Sequence, residues 1–142
     1  MRLGSCLLGS VLAFLGSVAW GADAKQLATA LGSASAAERR SAADALADMG
    51  YGAQEAVPQL TTALSSEDAD LRWRAARALG STGSAQAVPA LRKLTKDSEA
   101  LVRAQATYAL GRLKAEDQDS MKAVIDGLAD KEVQVRRAAV RA

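Results

Sequence analysis

The stretch Arg72-Trp-Arg-Ala-Ala-Arg-Ala-Leu79 decides the fold, because variants of it recur along the chain at intervals of about 33 residues. Each copy begins with an arginine and continues into an alanine-rich segment. Apolar residues in these segments recur at spacings of three and four, as on one face of an α-helix. Such a repeat predicts a solenoid, in which each unit buries its apolar face only by stacking on its neighbours. The other copies are Arg39-Arg-Ser-Ala-Ala-Asp-Ala-Leu46, Arg103-Ala-Gln-Ala-Thr-Tyr-Ala-Leu110 and Arg136-Arg-Ala-Ala-Val-Arg-Ala142.

Each repeat is predicted to contain two helices, so the expected fold class is an all-α solenoid (superhelix) of about four helix pairs. In the second copy, the first helix carries Leu60 and Leu64 on one stripe, and the second helix carries Leu71 and Leu79. The first copy has Glu38 at the position of Leu71, which is typical of a capping repeat with one exposed face. The predicted repeats span residues of about 25–57, 58–88, 89–121 and 122–142.

The fourth copy stops within its second helix, and no polar cap follows it. Three interpretations stay open: this end docks onto something, the helix frays, or the chain is incomplete. If the last repeat stacks on a second copy or on a larger solenoid, we expect the contact to include Leu128, Val133, Val135 and Val140.

The composition agrees with packed helices and argues against several kinds of site. Aromatic residues make up only 4% of the chain and alanine is abundant, which suits closely packed helices better than a β-sandwich. The chain has no histidine, and its only cysteine is Cys6 in the predicted leader, so no catalytic residue, metal site or cofactor is predicted. A formal charge of +2 gives no basic field for nucleic acid. The acidic run at 116–119 lacks the ligand spacing of a calcium loop.

Residues 1–24 are predicted to be a secretory signal peptide, because Arg2 precedes an apolar stretch and small residues follow it. Cleavage is expected after Gly21 or after Ala24. The composition, rich in Ala, Arg and Leu, favours a bacterial protein, so we expect a periplasmic or secreted location. The alternative is a protein anchored in the membrane by an uncleaved leader.

The repeat resembles the HEAT-repeat family, in particular the short bacterial HEAT-like repeats that also occur in phycobilisome lyases. The resembling residues are Leu91-x-x-Leu94-x-x-Asp97-x4-Val102-Arg103-x-x-Ala106-x-x-Ala109-Leu110-Gly111 and Asp130-x4-Val135-Arg136-x-x-Ala139. The resemblance covers the chain after the leader. It implies a solenoid whose second helices line a concave surface, but it does not imply one function, because that family serves many partners.

The resemblance also implies a structural role for the four repeat arginines, which we call the anchor arginines: Arg39, Arg72, Arg103 and Arg136. In the family, this arginine pairs with a loop aspartate of a neighbouring unit. Here the loop position six residues before each arginine is occupied by Ser33, Ser66, Asp97 and Asp130, which we expect to accept hydrogen bonds at a helix start. Because copies one and two have serine there, their arginines are expected only to form hydrogen bonds.

Four residues of the second helices are candidates for partner binding: Trp73, Arg77, Tyr108 and Arg112. Tryptophan, tyrosine and arginine are the residue types found most often as interface hot spots. The alternative for Trp73 is that it covers the junction between two repeats. The predicted function is a non-catalytic scaffold that binds a protein or peptide outside the cytoplasm. Self-stacking through the last repeat is the first alternative, and binding of a small ligand in the groove is the second.

Enzymes built from related repeats are poor matches. Deoxyhypusine hydroxylase binds iron through histidine and glutamate, and this chain has no histidine. Phycobilin lyases act inside the cell, and the predicted leader argues against that location. DNA glycosylases are disfavoured by the leader and by the nearly balanced charge.

Overall fold

The computed structural model describes residues 23–142, so the predicted leader up to residue 22, with Cys6 and the cleavage position at Gly21, lies outside the described residues. Within 23–142 the chain forms eight α-helices and no β-strand, as the repeat pattern predicted. Short 3-10 helices at Gly50–Ala56 and Ala85–Ala87 lead into the third and fifth α-helices. The α-helices are α1 Ala24–Ala30, α2 Ala36–Met49, α3 Val57–Ala63, α4 Ala69–Thr82, α5 Val88–Leu94, α6 Ala100–Arg112, α7 Gln118–Gly127 and α8 Val133–Arg141.

The second helices of the four pairs form the central layer, in which α2 packs on α4, α4 on α6 and α6 on α8. The first helices, α1, α3, α5 and α7, each pack against the second helix of their own pair. One leucine of each element from α2 to α6 is almost completely buried in the shared core. These leucines are Leu46, Leu60, Leu79, Leu91 and Leu110.

Small residues bring adjacent second helices close together. A Cβ atom placed on Gly80 of α4 would lie 2.9 Å from the Cβ atom of Ala109 on α6. A larger residue at position 80 would therefore push the two helices apart.

The ends of α4 and α6 turn through a residue with a left-handed φ angle. Gly83 has a φ of 70° after α4, and Lys114, at the same repeat position after α6, has a φ of 50°. The N–H group of Ala115 donates to the carbonyl of Leu110 at 3.2 Å, which closes the end of α6. Lysine adopts here a conformation that glycine adopts with less strain.

The anchor arginines Arg72 and Arg103 each join two repeats through one guanidinium group. Nη1 of Arg72 donates to the carbonyls of Ser66 and Glu67, at 2.8 and 3.1 Å, in the loop before its own helix. Its Nε and Nη2 donate to the two carboxylate oxygens of Asp97 in the next repeat, at 2.9 and 3.0 Å. Arg103 makes the same bidentate contact with Asp130, also at 2.9 and 3.0 Å. These contacts set the register between successive repeats.

The other two anchor arginines bind only the loop of their own repeat. Nη1 of Arg39 donates to the carbonyls of Ser33 and Ala34, and Nη1 of Arg136 donates to those of Asp130 and Lys131. No described carboxylate pairs with either residue.

The expectation that copies one and two lack an aspartate partner is therefore wrong for Arg72. The reason is that the following repeat supplies the aspartate. The repeat after Arg39 has Ser66 at that position, so the anchor arginine without an aspartate there is Arg39. The first junction has a substitute that the sequence analysis missed. Arg40, the residue after the anchor, donates from Nε and Nη2 to Asp68 at 2.8 and 3.0 Å.

The four loop residues fold the chain just before each second helix. Each side chain accepts from the backbone N–H group two residues ahead, at the N-cap position, and none of the four is the N-cap itself. The accepting residues and their donors are Ser33 with Ser35 at 3.1 Å, Ser66 with Asp68 at 3.1 Å, Asp97 with Glu99 at 2.9 Å and Asp130 with Glu132 at 2.9 Å.

The ion pairs between repeats lower the pKa values of their aspartates. Hydrogen bonds from Arg103 are the main cause of the lowered pKa of Asp130. Burial raises the pKa of Asp97, but hydrogen bonds from Arg72 and from the N–H group of Glu99 outweigh it, so this pKa is also lowered. Both carboxylates therefore bind a proton less readily in the folded protein than in the unfolded chain. Their stabilising effect is complete above the ordinary aspartate pKa and is lost as the pH falls through the lowered values.

We expect Asp97→Asn to lower the free energy of unfolding at neutral pH by about 1 to 3 kcal/mol, because Arg72 then loses its charged acceptor. The difference from wild type should shrink below about pH 4, where Asp97 of the unfolded wild type binds a proton more readily than Asp97 of the folded protein does. Urea unfolding followed by circular dichroism over a pH series measures both effects.

The control is Asp126→Asn, which removes the Lys122–Asp126 pair within α7. Those side chains are 72% and 60% exposed, so we expect a change of under about 0.5 kcal/mol. Wild type and Asp97→Asn curves that run parallel throughout the acid range would contradict the proposed role of the ion pair.

Candidate functional site

An open cleft of about 820 Å³ lies along the second helices, bordered by α4, α6, α8 and the end of α2. Three of the four candidate residues line this cleft: Arg77 from α4, and Tyr108 and Arg112 from α6. Small residues such as Gly80 and Ala104 also line it. Tyr108 is 37% exposed.

Trp73, the fourth candidate, is not among the residues that line the cleft. Its indole Nε1 donates to Asp70 at 3.2 Å, and the guanidinium carbon of Arg74 lies 4.4 Å from the centre of its ring. Arg74 in turn forms an ion pair with Asp44 on α2. The half-buried tryptophan thus supports a contact between the first two repeats, which is closer to the alternative that it covers a junction.

Every arginine of α2 and α4 except Arg39 pairs with a carboxylate. Arg77 pairs with Asp48 at 2.9 Å and approaches Asp44 at 3.6 Å. Arg40 pairs with Asp68, as described above, and this contact is the main cause of the lowered pKa of Asp68. Arg77, the arginine that lines this end of the cleft, is therefore neutralised within the chain.

Three arginines at the other end of the cleft have no such partner. Arg112, Arg137 and Arg141 all line the cleft, and no ion pair joins any of them to a carboxylate of residues 23–142. Residues 1–22 contain no Asp or Glu. The cleft therefore ends in a cluster of unneutralised positive charge, which we call the arginine cluster: Arg112, Arg137 and Arg141.

The sequence analysis identified only Arg112 of this cluster. The signal for the other two was present, because Arg137 and Arg141 occupy the repeat positions of Trp73 and Arg77. The sequence did not predict which of these arginines form ion pairs, because ion pairing depends on which helices pack together.

The last repeat exposes five large apolar side chains, which we call the terminal face: Met121, Ile125, Leu128, Val133 and Val140. Val140 is 77% exposed, whereas Ala43, Ala76 and Thr107 at the same repeat position are buried. The sequence analysis missed Met121 and Ile125. It was wrong to place Val135 in this surface, because Val135 is 1% exposed and packs inside the last repeat.

Within residues 23–142, no group of three or more metal-ligating side chains lies close enough together to hold an ion. No helix in this range has the length and apolar character needed to span a membrane.

Comparison with solved structures shows the same architecture. An engineered protein superposes with a TM-score of 0.69 at 23% identity, over 85% of this chain and 61% of that one. A chain in the complex of CpcE and CpcF of phycocyanin lyase from Nostoc sp. PCC7120 gives a TM-score of 0.64 at 22% identity, over 85% and 64%. Another engineered protein gives 0.64 at 25% identity, over 84% and 36%. The chain thus spans less than two thirds of each of these structures.

The sequence comparisons identify the family. None of the curated proteins matches the chain significantly. The model of HEAT repeats matches residues 24–111 and 58–142, and these two ranges together include nearly every described residue. The chain therefore belongs to the HEAT-repeat family, as its recurring arginine pattern predicted.

Proposed function

We propose that the protein is a non-catalytic scaffold that binds a protein or peptide segment in its cleft. The observation that supports this most directly is the pair of exposed apolar side chains beside the arginine cluster. Leu101 is 41% exposed and Tyr108 is 37% exposed, and both line the cleft. Aromatic and arginine side chains around a small-residue floor are typical of surfaces that bind a polypeptide.

The chemistry of the lining favours binding over catalysis. Asp48 is the one carboxylate among the lining residues, and Arg77 already neutralises it. A pair of carboxylates for acid–base catalysis is thus not available in the cleft. The related chain of the phycocyanin lyase is part of a complex, so a solenoid of this kind binds another protein there. This is an analogy at the level of the fold.

Selection from a random peptide library displayed on phage tests the proposal. We expect peptides that bind the wild type to bind Tyr108→Ala at least tenfold more weakly, because the exposed ring supplies apolar contact area. Fluorescence anisotropy with the selected peptides measures the affinities.

Trp73→Ala is the matched control, because it removes an aromatic ring of the same layer that does not line the cleft. The selected peptides should bind this variant as they bind the wild type. If no peptide is enriched, or if the enriched peptides bind Tyr108→Ala as well as wild type, the cleft is not a peptide site.

We also propose that the protein acts outside the cytoplasm and is cleaved after Gly21. The side chain of Asp23 accepts from the N–H group of Gln26 at 2.7 Å and so caps α1. Cleavage after Gly21 keeps this cap, whereas cleavage after Ala24 removes it together with the buried Ala24.

The expected mature protein therefore begins at Ala22. Intact-mass analysis of the protein recovered from the periplasm of a bacterial host measures this. A full-length mass in the membrane fraction would instead identify an uncleaved anchor, and a chain beginning at Lys25 would contradict the role of Asp23.

A second candidate function is self-association through the terminal face. Its support is that Leu128 is 46% exposed, whereas Leu31 and Leu64 at the same repeat position are 7% and 3% exposed. Inside the solenoid, the next repeat covers these positions. A second copy of the chain would cover the same kind of surface at the last repeat.

We expect the apparent mass in light scattering to rise with concentration, and the double variant Ile125→Lys/Val140→Lys to stay monomeric. Tyr51→Lys is the control, because Tyr51 is as exposed as Val140, at 77%, but lies far along the chain in the 3-10 helix before α3. A wild type that is monomeric at every concentration would exclude self-association.

A further inference from the structure

We propose that the segment bound in the cleft is acidic, and that its carboxylates are held by the arginine cluster. This inference rests on the proposed function, since it specifies the chemistry of the polypeptide that the cleft binds. The proposed ligand is a peptide in which carboxylate side chains lie next to apolar ones.

At its first junction, the solenoid contains the kind of arginine–carboxylate pairing that the arginine cluster lacks. Arg77 lies on α4 opposite two residues of α2, Asp44 and Asp48, and pairs with them at 3.6 and 2.9 Å. Two repeats later, Arg141 occupies the position of Arg77. The positions of the two aspartates are then occupied by Tyr108 and Arg112, since all three residues lie 64 positions further along the chain.

The same arrangement of neighbouring second helices thus carries different charged residues at the two ends of the solenoid. At the first junction, a carboxylate from the neighbouring helix neutralises the arginine. At the last junction, the neighbouring helix supplies a second arginine in place of that carboxylate. A carboxylate from a bound segment would lie among Arg112, Arg137 and Arg141 and make charge-assisted hydrogen bonds of the kind that Asp48 makes with Arg77.

The distribution of charge favours an acidic peptide over a long polyanion. The cleft lining contains four arginines and one aspartate, a formal charge of +3, whereas the whole chain carries +2. The rest of the chain is therefore close to neutral, so its net charge gives no attraction for a nucleic acid backbone outside the cleft. Leu101 and Tyr108 add exposed apolar area beside the cluster, which suits apolar residues between the acidic ones.

The peptides selected on the wild type provide the test. We expect them to be enriched in Asp and Glu relative to the starting library. The strongest binder should lose at least tenfold in affinity when its acidic residues are replaced by Asn and Gln. The double variant Arg112→Gln/Arg141→Gln should lose at least tenfold toward the acidic peptide, and should bind the amide peptide no more weakly than the wild type does.

The control is Lys93→Gln, an exposed cation on α5 that does not line the cleft. A loss of affinity in Lys93→Gln as large as in the arginine variant would overturn the proposal, because binding would then follow overall charge. Displacement of the acidic peptide by a single-stranded oligonucleotide at lower concentration than by the unlabelled peptide would also overturn it.

The failure of this inference is distinguishable from failure of the proposed function. Peptides that need Tyr108 but carry no excess of acidic residues would leave the cleft a peptide site and refute the acidic ligand. The absence of any enriched peptide would refute both.

Discussion

The bidentate contact between an anchor arginine and the aspartate of the next repeat is the interaction on which the arrangement of the solenoid depends. One guanidinium binds two loops at once, through Nη1 to its own repeat and through Nε and Nη2 to the following one. Hydrophobic burial holds the helices together, but it is not directional and so does not fix their relative position. A bidentate pair of hydrogen bonds is directional and does fix it. Because the loops immediately precede the second helices, this contact sets where each of those helices begins, and it thereby aligns the residues of the cleft.

Two junctions use Arg72 and Arg103 in this way, and the first junction uses Arg40 with Asp68 instead. The same register is therefore reached with different residues. Between the loops, small residues such as Gly80 and Ala109 let the second helices approach closely, so side chains at equivalent positions of adjacent repeats come within reach of each other. A constant backbone arrangement can thus place an aspartate opposite an arginine at one junction and an arginine opposite an arginine at another. This difference gives the cleft a neutral end and a basic end.

Much of the candidate site could be predicted, because repeat positions translate directly into helix faces. The periodic pattern placed Arg77, Tyr108 and Arg112 on the second helices, and the structure brings these three together in the cleft. Trp73 did not follow this pattern, since its ring is engaged by Asp70 and Arg74 within its own helix. Val135 was misplaced because a stripe of apolar residues does not tell which side of the stripe a neighbouring helix covers.

The sequence by itself determined the number of helix pairs, their order and the fold class, because these follow from local periodicity and from a repeat too short to bury its own apolar face. Only the tertiary structure decided which charges are paired. Asp97 binds the arginine of the preceding repeat, and Arg112, Arg137 and Arg141 lie where no described carboxylate reaches them. Pairing depends on distances of a few ångströms between side chains that are about 30 residues apart in sequence, and such distances are fixed by how the helices pack.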